Sequence, residues 1–440
     1  MKTKSRNVRM KSRKSKSNKA LTLKKITMII LPLITLLGIG IGVYAVLIKT
    51  PLLFANSESS REKKFFKDEI VYQYGYEVRF NKVLRDNGGI LAVGSYLKNP
   101  SEKYQLLVVS FDENGKELWR KEFGGTGDEW AFDIAKKGDN YIIVGTTSSK
   151  EFGVKGRYDA LLLEMTPKGN IVWSRIYGGP DWDRAYKILN VGDGFVFVGD
   201  NFKKGGDVVE NFGEHDYWIV KVNPQGNIEW SRSFGGIRWD RAYGADYDPE
   251  YKMIVVTGSS NSFTDGIRYD GYTVAYDLQG QEIWRSVLFN SNTLWPLDVT
   301  ISKSGIFVGG YVFEKGKEKS FIAKISKSGK VEYIKTFAEN TRIHSLKVIE
   351  DDEEKVTLMF SGYKDNGTKS PWYGQFIVTN VSDFIIANGS DNSKDVVIEY
   401  PIKSEYGMFF STTVDSDLIV FSGMNFVNNK LAGYIRIIPR

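Results

Sequence analysis

One unit of sequence is repeated along most of this chain. In residues 159–186, DALLLEMTPKGNIVWSRIYGGPDWDRAY, an apolar run is followed by a glycine-containing turn, a second run with a Trp, and a Gly-Gly loop. The same order recurs at 216–243 and, with more variation, at 106–132. Short apolar runs bounded by turns that contain glycine indicate antiparallel β-strands.

The repeat has a period close to 50 residues. Each full copy also holds a strand after the Gly-Gly loop, expected to start at Ala131, Ala185 and Ala242 in three copies, and a very apolar strand that ends in glycine, which makes a four-stranded unit. The aromatic residues of the outer, fourth strand of the successive units are Tyr72, Trp119, Trp173, Trp230, Trp284, Tyr333 and Tyr400. Four-stranded units with this spacing are typical of propeller blades. We therefore predict an all-β protein in which residues 69–440 form a seven-bladed β-propeller.

The two ends of this region predict how the ring of blades closes. Three strands are expected at 406–414, 418–423 and 431–438, and a fourth is missing from this last unit. The segment 70–75, IVYQYG, matches the Trp strand of other repeats, such as 171–173. We expect it to supply the outer strand of the last blade, because this pairing removes two open sheet edges.

The basic residues are concentrated at the N-terminus. Residues 1–25 hold eleven of the 60 Lys and Arg residues and no acid, so residues 26–440 keep 49 basic against 53 acidic residues, a net charge of −4. A protein that binds duplex nucleic acid needs a basic face to neutralise phosphates. No basic run follows residue 25, and we expect no nucleic-acid partner.

An uncharged segment follows the basic tail. Residues 26–48 contain no charged side chain, and a helix of this length, about 34 Å, would cross a hydrocarbon core of about 30 Å. We predict a cytoplasmic tail over 1–25, a transmembrane signal anchor over 26–48, a linker over 49–68 and an extracytoplasmic propeller. The alternative is a secretory signal cleaved after Ala55. Both interpretations export the propeller.

The material for catalysis is sparse. The chain has no Cys, which excludes disulfides, thiolate metal sites and a Cys nucleophile. Its two His residues, His215 and His344, lie in different repeats, and no calcium-loop spacing is present. We therefore predict no catalytic residue, no metal and no cofactor. The sequence does not indicate an oligomeric state.

The repeat resembles a known family. The pattern Trp-x-x-x-aromatic-Gly-Gly, followed by a strand that ends in Val-Gly, resembles the secreted bacterial β-propeller repeat family. The turn and strand at 112–119, DENGKELW, are also similar to those of quinoprotein-type propellers. The resemblance is clearest from about 106 to 290. It implies an extracytoplasmic propeller and no particular activity, because a fold does not specify a function.

The Gly-Gly loop, which joins the Trp strand of one four-stranded unit to the first strand of the next, is the best candidate for a ligand site. The loops at 148–158, 201–215 and 259–269 are expected on the same face of the propeller. Aromatic faces, carboxylates and guanidinium groups together bind sugars or peptides. The alternative for the acids and arginines is a packing role between neighbouring blades. The third copy, Asp128-Glu129-Trp130, is shifted and lacks the Arg. The candidate residues are Trp182, Asp183, Arg184, Trp239, Asp240, Arg241, Glu129 and Trp130.

These observations favour a membrane-anchored extracytoplasmic propeller. We predict a non-catalytic binding module for a protein or a cell-surface polysaccharide, with the ligand at the loop-rich mouth. The alternative is a propeller enzyme, either a quinoprotein-like oxidoreductase or a carbohydrate-active hydrolase or lyase. A cluster of carboxylates around a deep central pocket would favour the enzyme.

Overall fold

A computed structural model describes residues 67–86, 88–288, 292–352, 355–379, 396–402 and 404–440. Among these residues no helix is long and apolar enough to cross a bilayer. The predicted basic tail, membrane helix and most of the linker, residues 1–66, lie outside them. The regular secondary structure of the described residues is β-strand, apart from a short 3-10 helix at Lys150–Phe152.

The strands follow the predicted four-strand order. They are β1 (Glu69–Tyr72), β2 (Glu77–Asp86), β3 (Gly89–Leu97), β4 (Gln105–Phe111), β5 (Glu117–Phe123), β6 (Glu129–Lys137), β7 (Asn140–Thr147), β8 (Asp159–Met165), β9 (Ile171–Tyr177), β10 (Arg184–Asn190), β11 (Phe195–Asn201), β12 (Asp216–Val222), β13 (Ile228–Phe234), β14 (Asp240–Asp248), β15 (Met253–Ser260), β16 (Asp270–Asp277), β17 (Glu282–Leu288), β18 (Thr293–Ser302), β19 (Gly305–Glu314), β20 (Lys317–Ile325), β21 (Val331–Glu339), β22 (Thr341–Asp351), β23 (Lys355–Asp365), β24 (Lys369–Thr379), β25 (Val396–Pro401), β26 (Gly407–Val414), β27 (Leu418–Val427) and β28 (Lys430–Pro439).

Consecutive strands pair into antiparallel sheets. Five sheets have four strands each: β6–β9, β10–β13, β14–β17, β18–β21 and β22–β25. The remaining eight strands are connected as one sheet in which β2–β5 and β26–β28 meet through a single parallel residue pair, Glu77 and Leu431. The N-terminal strand β1 pairs antiparallel with β28, with Tyr72 opposite Gly433.

The hydrophobic core lies between consecutive sheets. Strands β8 and β12 are buried at every residue, because each middle strand has a neighbouring sheet on both faces. One cluster joins Val144 of β7 to Phe197 of β11, and the next joins Val198 of β11 to Val256 of β15. A further cluster joins β3 and β4 to β27 and β28. The strands at the two ends of this region, β2–β5 and β26–β28, therefore pack on each other. This all-β arrangement is consistent with a β-propeller.

The first strands begin earlier than the pattern predicts. The sequence suggested starts at Ala131, Ala185 and Ala242, whereas β6, β10 and β14 begin at Glu129, Arg184 and Asp240. The additional residues pair with the second strand of the same sheet, as Asp240 does with Ser260. Most of the predicted loop site therefore belongs to the first strands.

Candidate ligand site at the mouth of the central cavity

Each first strand carries a β-bulge at the same place. The register with the second strand shifts by one residue in all seven first strands, for example between Ala185 and Lys187. A bulge leaves one residue unpaired and changes the direction of its side chain. We call these unpaired residues the bulge ring: Asn81, Phe132, Tyr186, Tyr243, Leu297, His344 and Phe410.

All seven residues of the bulge ring line one cavity of about 630 Å³. We call it the central cavity, because β2, β6, β10, β14, β18, β22 and β26 all contribute to its wall. Its surface is mostly aromatic at this level. The rings of Phe132 and Tyr186 are 5.2 Å apart, and those of Tyr186 and Tyr243 are 6.1 Å apart, measured between centroids.

A second set of equivalent residues stands two positions before each bulge residue. We call it the mouth ring: Arg79, Trp130, Arg184, Arg241, Trp295, Arg342 and Met408. Five of its members line the central cavity, all except Arg241 and Trp295. Four of the seven positions are arginine and two are tryptophan, so the entrance is both cationic and aromatic.

Aromatic rings continue around the entrance from sheet to sheet. They alternate between residues at or just before the first strands (Trp130, Trp182 and Trp239) and residues just before the third strands (Tyr104, Tyr158 and His215). Successive centroids lie 5.8 Å apart for Tyr104 and Trp130, 5.6 Å for Trp130 and Tyr158, 5.9 Å for Tyr158 and Trp182, 6.2 Å for Trp182 and His215, and 4.6 Å for His215 and Trp239. These separations are those of interacting aromatic pairs, and they form a continuous belt over four sheets.

The arginines of the mouth ring are paired unequally. Arg79 forms an ion pair with Glu77, and Arg342 forms one with Glu318. Arg184 and Arg241, from neighbouring sheets, share Asp200: Arg184 Nη2 lies 2.9 Å and Arg241 Nε 3.9 Å from the same Asp200 Oδ2.

Asp200 is fully buried on β11. Burial disfavours its charged form, but Arg184, His215 and Arg241 outweigh this effect and hold the pKa of Asp200 below its ordinary value. His215 Nδ1 lies 2.5 Å from Asp200 Oδ2 and its side chain is also buried. The carboxylate therefore remains ionised beneath the two guanidinium groups.

The three predicted acids lie below the surface of the mouth. Glu129, Asp183 and Asp240 are fully buried. Each accepts a hydrogen bond from the second glycine of its own Gly-Gly loop: Gly125 N to Glu129 at 2.9 Å, Gly179 N to Asp183 at 2.6 Å, and Gly236 N to Asp240 at 2.8 Å. A ligand at the mouth would meet the arginines and indoles before these carboxylates.

The structure also aligns the divergent third copy of the motif. Glu129 occupies the position of Asp183 and Asp240, and Trp130 occupies that of Arg184 and Arg241. Trp182 and Trp239 are partly buried members of the aromatic belt. The structure thus brings Trp130 and Arg184 to the cavity wall, with Trp182 and Trp239 beside them.

Sequence reasoning missed Arg79 and Arg342. Both lack the Trp-Asp that marks the other loops, since their local sequences are Val78-Arg79-Phe80 and Thr341-Arg342-Ile343. Their positions are equivalent only after the bulges are aligned. The signal that identifies them is a cation two residues before each unpaired residue, and that residue is known only once the strand pairing is known.

Deeper in the cavity, lysines and acids connect neighbouring sheets. Lys187 Nζ lies 3.2 Å from Asp298 Oδ1, and Asp298 accepts a hydrogen bond from Leu346 N in the next sheet at 3.0 Å. Lys82 Nζ donates to the carbonyl oxygen of Thr412 at 3.3 Å, and burial lowers the pKa of Lys82 to about 8. Among the described residues that line the cavity, five are Lys or Arg and one, Asp133, is acidic.

The described residues contain no group of three or more His, Asp or Glu side chains that could hold a metal ion. Asp133 accepts a hydrogen bond from Ile188 N of the next sheet at 3.2 Å. Each of these acidic groups near the cavity thus has at least one oxygen bound to a backbone amide or a cation of the protein itself.

No family model and no curated protein matches the chain. Among solved structures, it resembles the acylaminoacyl peptidase of Pyrococcus horikoshii at 12% identity and a TM-score of 0.46, over 83% of this chain and 54% of that one. The chain therefore spans about half the length of that enzyme. It also resembles the β-propeller domain of the Trilobed protease from Pyrococcus furiosus (12%, 0.44, 82% and 93%) and the polysaccharide lyase Uly1 (9%, 0.49, 87% and 94%). These values assign no activity to the chain.

Proposed function

We propose that this protein is an exported seven-bladed β-propeller that binds a cell-surface polysaccharide at the mouth of its central cavity without modifying it. The blades are the five four-stranded sheets, the sheet half β2–β5, and β26–β28 completed by β1. The uncharged segment 26–48 anchors the propeller to the membrane, with residues 1–25 in the cytoplasm.

The observation that carries the proposal is the composition of the cavity wall. A volume of about 630 Å³ lies in the range of sites for small ligands and suits a few sugar units better than the broad surface of a folded protein. Aromatic rings at Phe132, Tyr186 and Tyr243 supply faces for sugar rings, and the mouth ring supplies hydrogen-bond donors.

The acids near the mouth favour binding over hydrolysis. Glycoside hydrolases require two carboxyl groups placed on either side of the scissile bond. Asp183, Asp240 and Glu129 are buried and hold loop amides, and Asp200 is engaged by Arg184 and His215. None of these four faces the cavity as a free acid. The enzyme alternative would need a different pair.

The test measures binding of purified envelope polysaccharides and envelope proteins to the full-length chain in detergent. We expect polysaccharide capture by the native chain, at least a tenfold loss in Tyr243→Ala, and no loss in Tyr251→Ala. Tyr251 is an exposed tyrosine of the β14–β15 hairpin, so it controls for a general effect of removing a phenol. Capture of a protein alone, or release of shortened sugar chains, would show that the proposal is wrong.

A further inference from the structure

Two positive charges share one buried negative charge at the mouth. Arg184 and Arg241 project from β10 and β14 toward Asp200, and Arg184 is much closer to it than Arg241 is. The Nε atoms of both arginines and Asp200 Oδ1 are buried without a hydrogen-bond partner in the described structure. Buried polar atoms of native proteins normally have partners, so the two Nε–H groups have capacity for another acceptor, whereas Asp200 Oδ1 has capacity for a donor.

The positive charge that is not balanced by a carboxylate lies on one side of the entrance, at Arg184 and Arg241. The other two arginines of the mouth ring, Arg79 and Arg342, each have a carboxylate of their own, Glu77 and Glu318. At Arg184 and Arg241 one carboxylate faces two guanidinium groups. Guanidinium groups bind planar or tetrahedral oxyanions through paired hydrogen bonds.

Aromatic faces lie directly beside these guanidinium groups. Arg241 Cζ is 4.5 Å from the centroid of Trp239, and Arg184 Cζ is 5.8 Å from that of Tyr186. Tyr186 adjoins Tyr243 in the bulge ring. A sugar ring against the two tyrosines would therefore place its substituents within reach of Arg184.

We propose that the polysaccharide is acidic, with its anionic group bound between Arg184 and Arg241 and its sugar ring packed against Tyr186 and Tyr243. This inference rests on the proposed polysaccharide-binding function. A uronate carboxylate and a backbone phosphodiester share the required chemistry, since each presents at least two oxygen acceptors and a negative charge.

Calorimetric titration of the full-length chain in detergent tests the charge requirement directly. The probes are tetragalacturonate, its fully methyl-esterified form, and a hexose-phosphate oligomer, in which phosphodiesters join the sugar rings. We expect at least tenfold tighter binding of one anionic probe than of the neutral ester, and weaker binding of that probe as salt is raised. Preference for tetragalacturonate identifies a uronate as the anionic source, and preference for the hexose-phosphate oligomer identifies a phosphodiester.

Matched variants test the position of the charge. Arg241→Gln should weaken binding of the anionic probe at least tenfold. Arg238→Gln should not, because Arg238 is exposed in the loop that precedes β14, whereas Arg241 faces Asp200. The comparison of acid with ester uses only the native chain, so it remains decisive if Arg241→Gln fails to fold.

Failure of this inference differs from failure of the proposed function. Equal affinity of the neutral methyl ester and of both anionic probes would overturn the acidic-ligand inference and leave polysaccharide binding intact. Binding of envelope protein with no affinity for any polysaccharide or oligosaccharide probe would overturn both. Equal losses in Arg241→Gln and Arg238→Gln would overturn the assigned position.

Discussion

Trp230 of β13 lies over Gly280 in the turn between β16 and β17 of the next sheet. A Cβ atom added to Gly280 would come within 2.8 Å of the indole ring, and Trp230 Nε1 donates to the carbonyl oxygen of Leu278 at 2.9 Å. The same contact joins Trp173 to Gly226 and Trp284 to Gly329. The Trp and the turn glycine recur together because each Trp packs on the turn of the following sheet.

Replacement of Gly280 by Ala should therefore destabilise the protein for two reasons. Gly280 has φ +74°, where an L-residue costs about 1–2 kcal/mol, and the added methyl would also displace the indole. Gly192→Ala is the matched control, since Gly192 has φ +92° and open space around its Cβ position. Urea unfolding monitored by Trp fluorescence should show the larger loss in Gly280→Ala. Equal losses would mean that the indole contact adds nothing.

The pairing of β1 with β28 predicts a stabilising role for a segment distant in sequence. Ile70 is buried in the cluster between the first and last sheets, and it contacts the turn at Gly115. Ile70→Ala should lower the free energy of unfolding by about 2–4 kcal/mol. Val71→Ala, on the exposed face of the same strand, should cost much less. Deletion of 69–75 should destabilise far more than deletion of 1–48, and equal thermal stability of the two deletions would exclude this closure.

We expect the stability of the protein to depend on pH because of one pair of buried acids, Asp159 and Asp183. Burial raises the pKa of Asp159 to about 6 and that of Asp183 to about 7, and the two carboxylates face the same point beside Gly178. Because these folded-state pKa values exceed the ordinary value of about 3.8, the folded state binds more protons than the unfolded state between pH 4 and 7. The contribution of these two groups to the stability of the protein is therefore complete below pH 4 and is lost as the pH rises through 7.

Asp183→Asn should reduce the loss of stability between pH 4 and 7 by on the order of 1–3 kcal/mol, because an amide cannot lose a proton. Asp181→Asn, on the same loop and partly exposed, is the control. Urea midpoints measured across this range test the prediction. A slope unchanged in Asp183→Asn would show that this carboxyl does not titrate in the folded protein.

Lys82 predicts a pH limit for binding of an anion. Burial lowers its pKa to about 8, and the charged groups around it are Asp133, Lys187, Lys347 and Asp298. Affinity of the anionic probe should fall as the pH rises from 7 to 9, because Lys82 loses its positive charge over this range. Lys82→Gln should bind more weakly at pH 7 and lose much of the dependence. An undiminished dependence in the variant would assign it to another group.

Several elements could be predicted from the sequence because they depend on local patterns. The apolar runs ending in glycine became β7, β11, β15 and β19, and the three C-terminal strands lie close to their expected positions as β26, β27 and β28. The match of 70–75 to a Trp strand anticipated the pairing of β1 with β28. Turn glycines and alternating hydrophobicity act within a few residues, so they can be read from one repeat at a time.

The candidate site could be predicted only in part. The sequence pointed to the loops at Trp182 and Trp239 but treated Asp128-Glu129-Trp130 as a shifted copy. The structure shows Glu129 bonded to Gly125 as Asp183 is to Gly179. An acid that caps its own loop and an acid that meets a ligand have the same spacing in sequence, so burial had to decide between them.

By itself the sequence determined the strand order, the repeat period and the match between the N-terminal segment and the Trp strands. Only the tertiary structure decided which side chains line the central cavity. Each bulge inserts one residue into the first strand and so changes the two-residue alternation beyond it. Lys187 therefore lines the cavity beside Tyr186, where strict alternation would have placed Ile188, and Arg79 and Arg342 join Arg184 there although they come from distant repeats without its loop motif. Arg184 and Arg241 can share Asp200 only because the sheets that contain β10 and β14 pack next to each other.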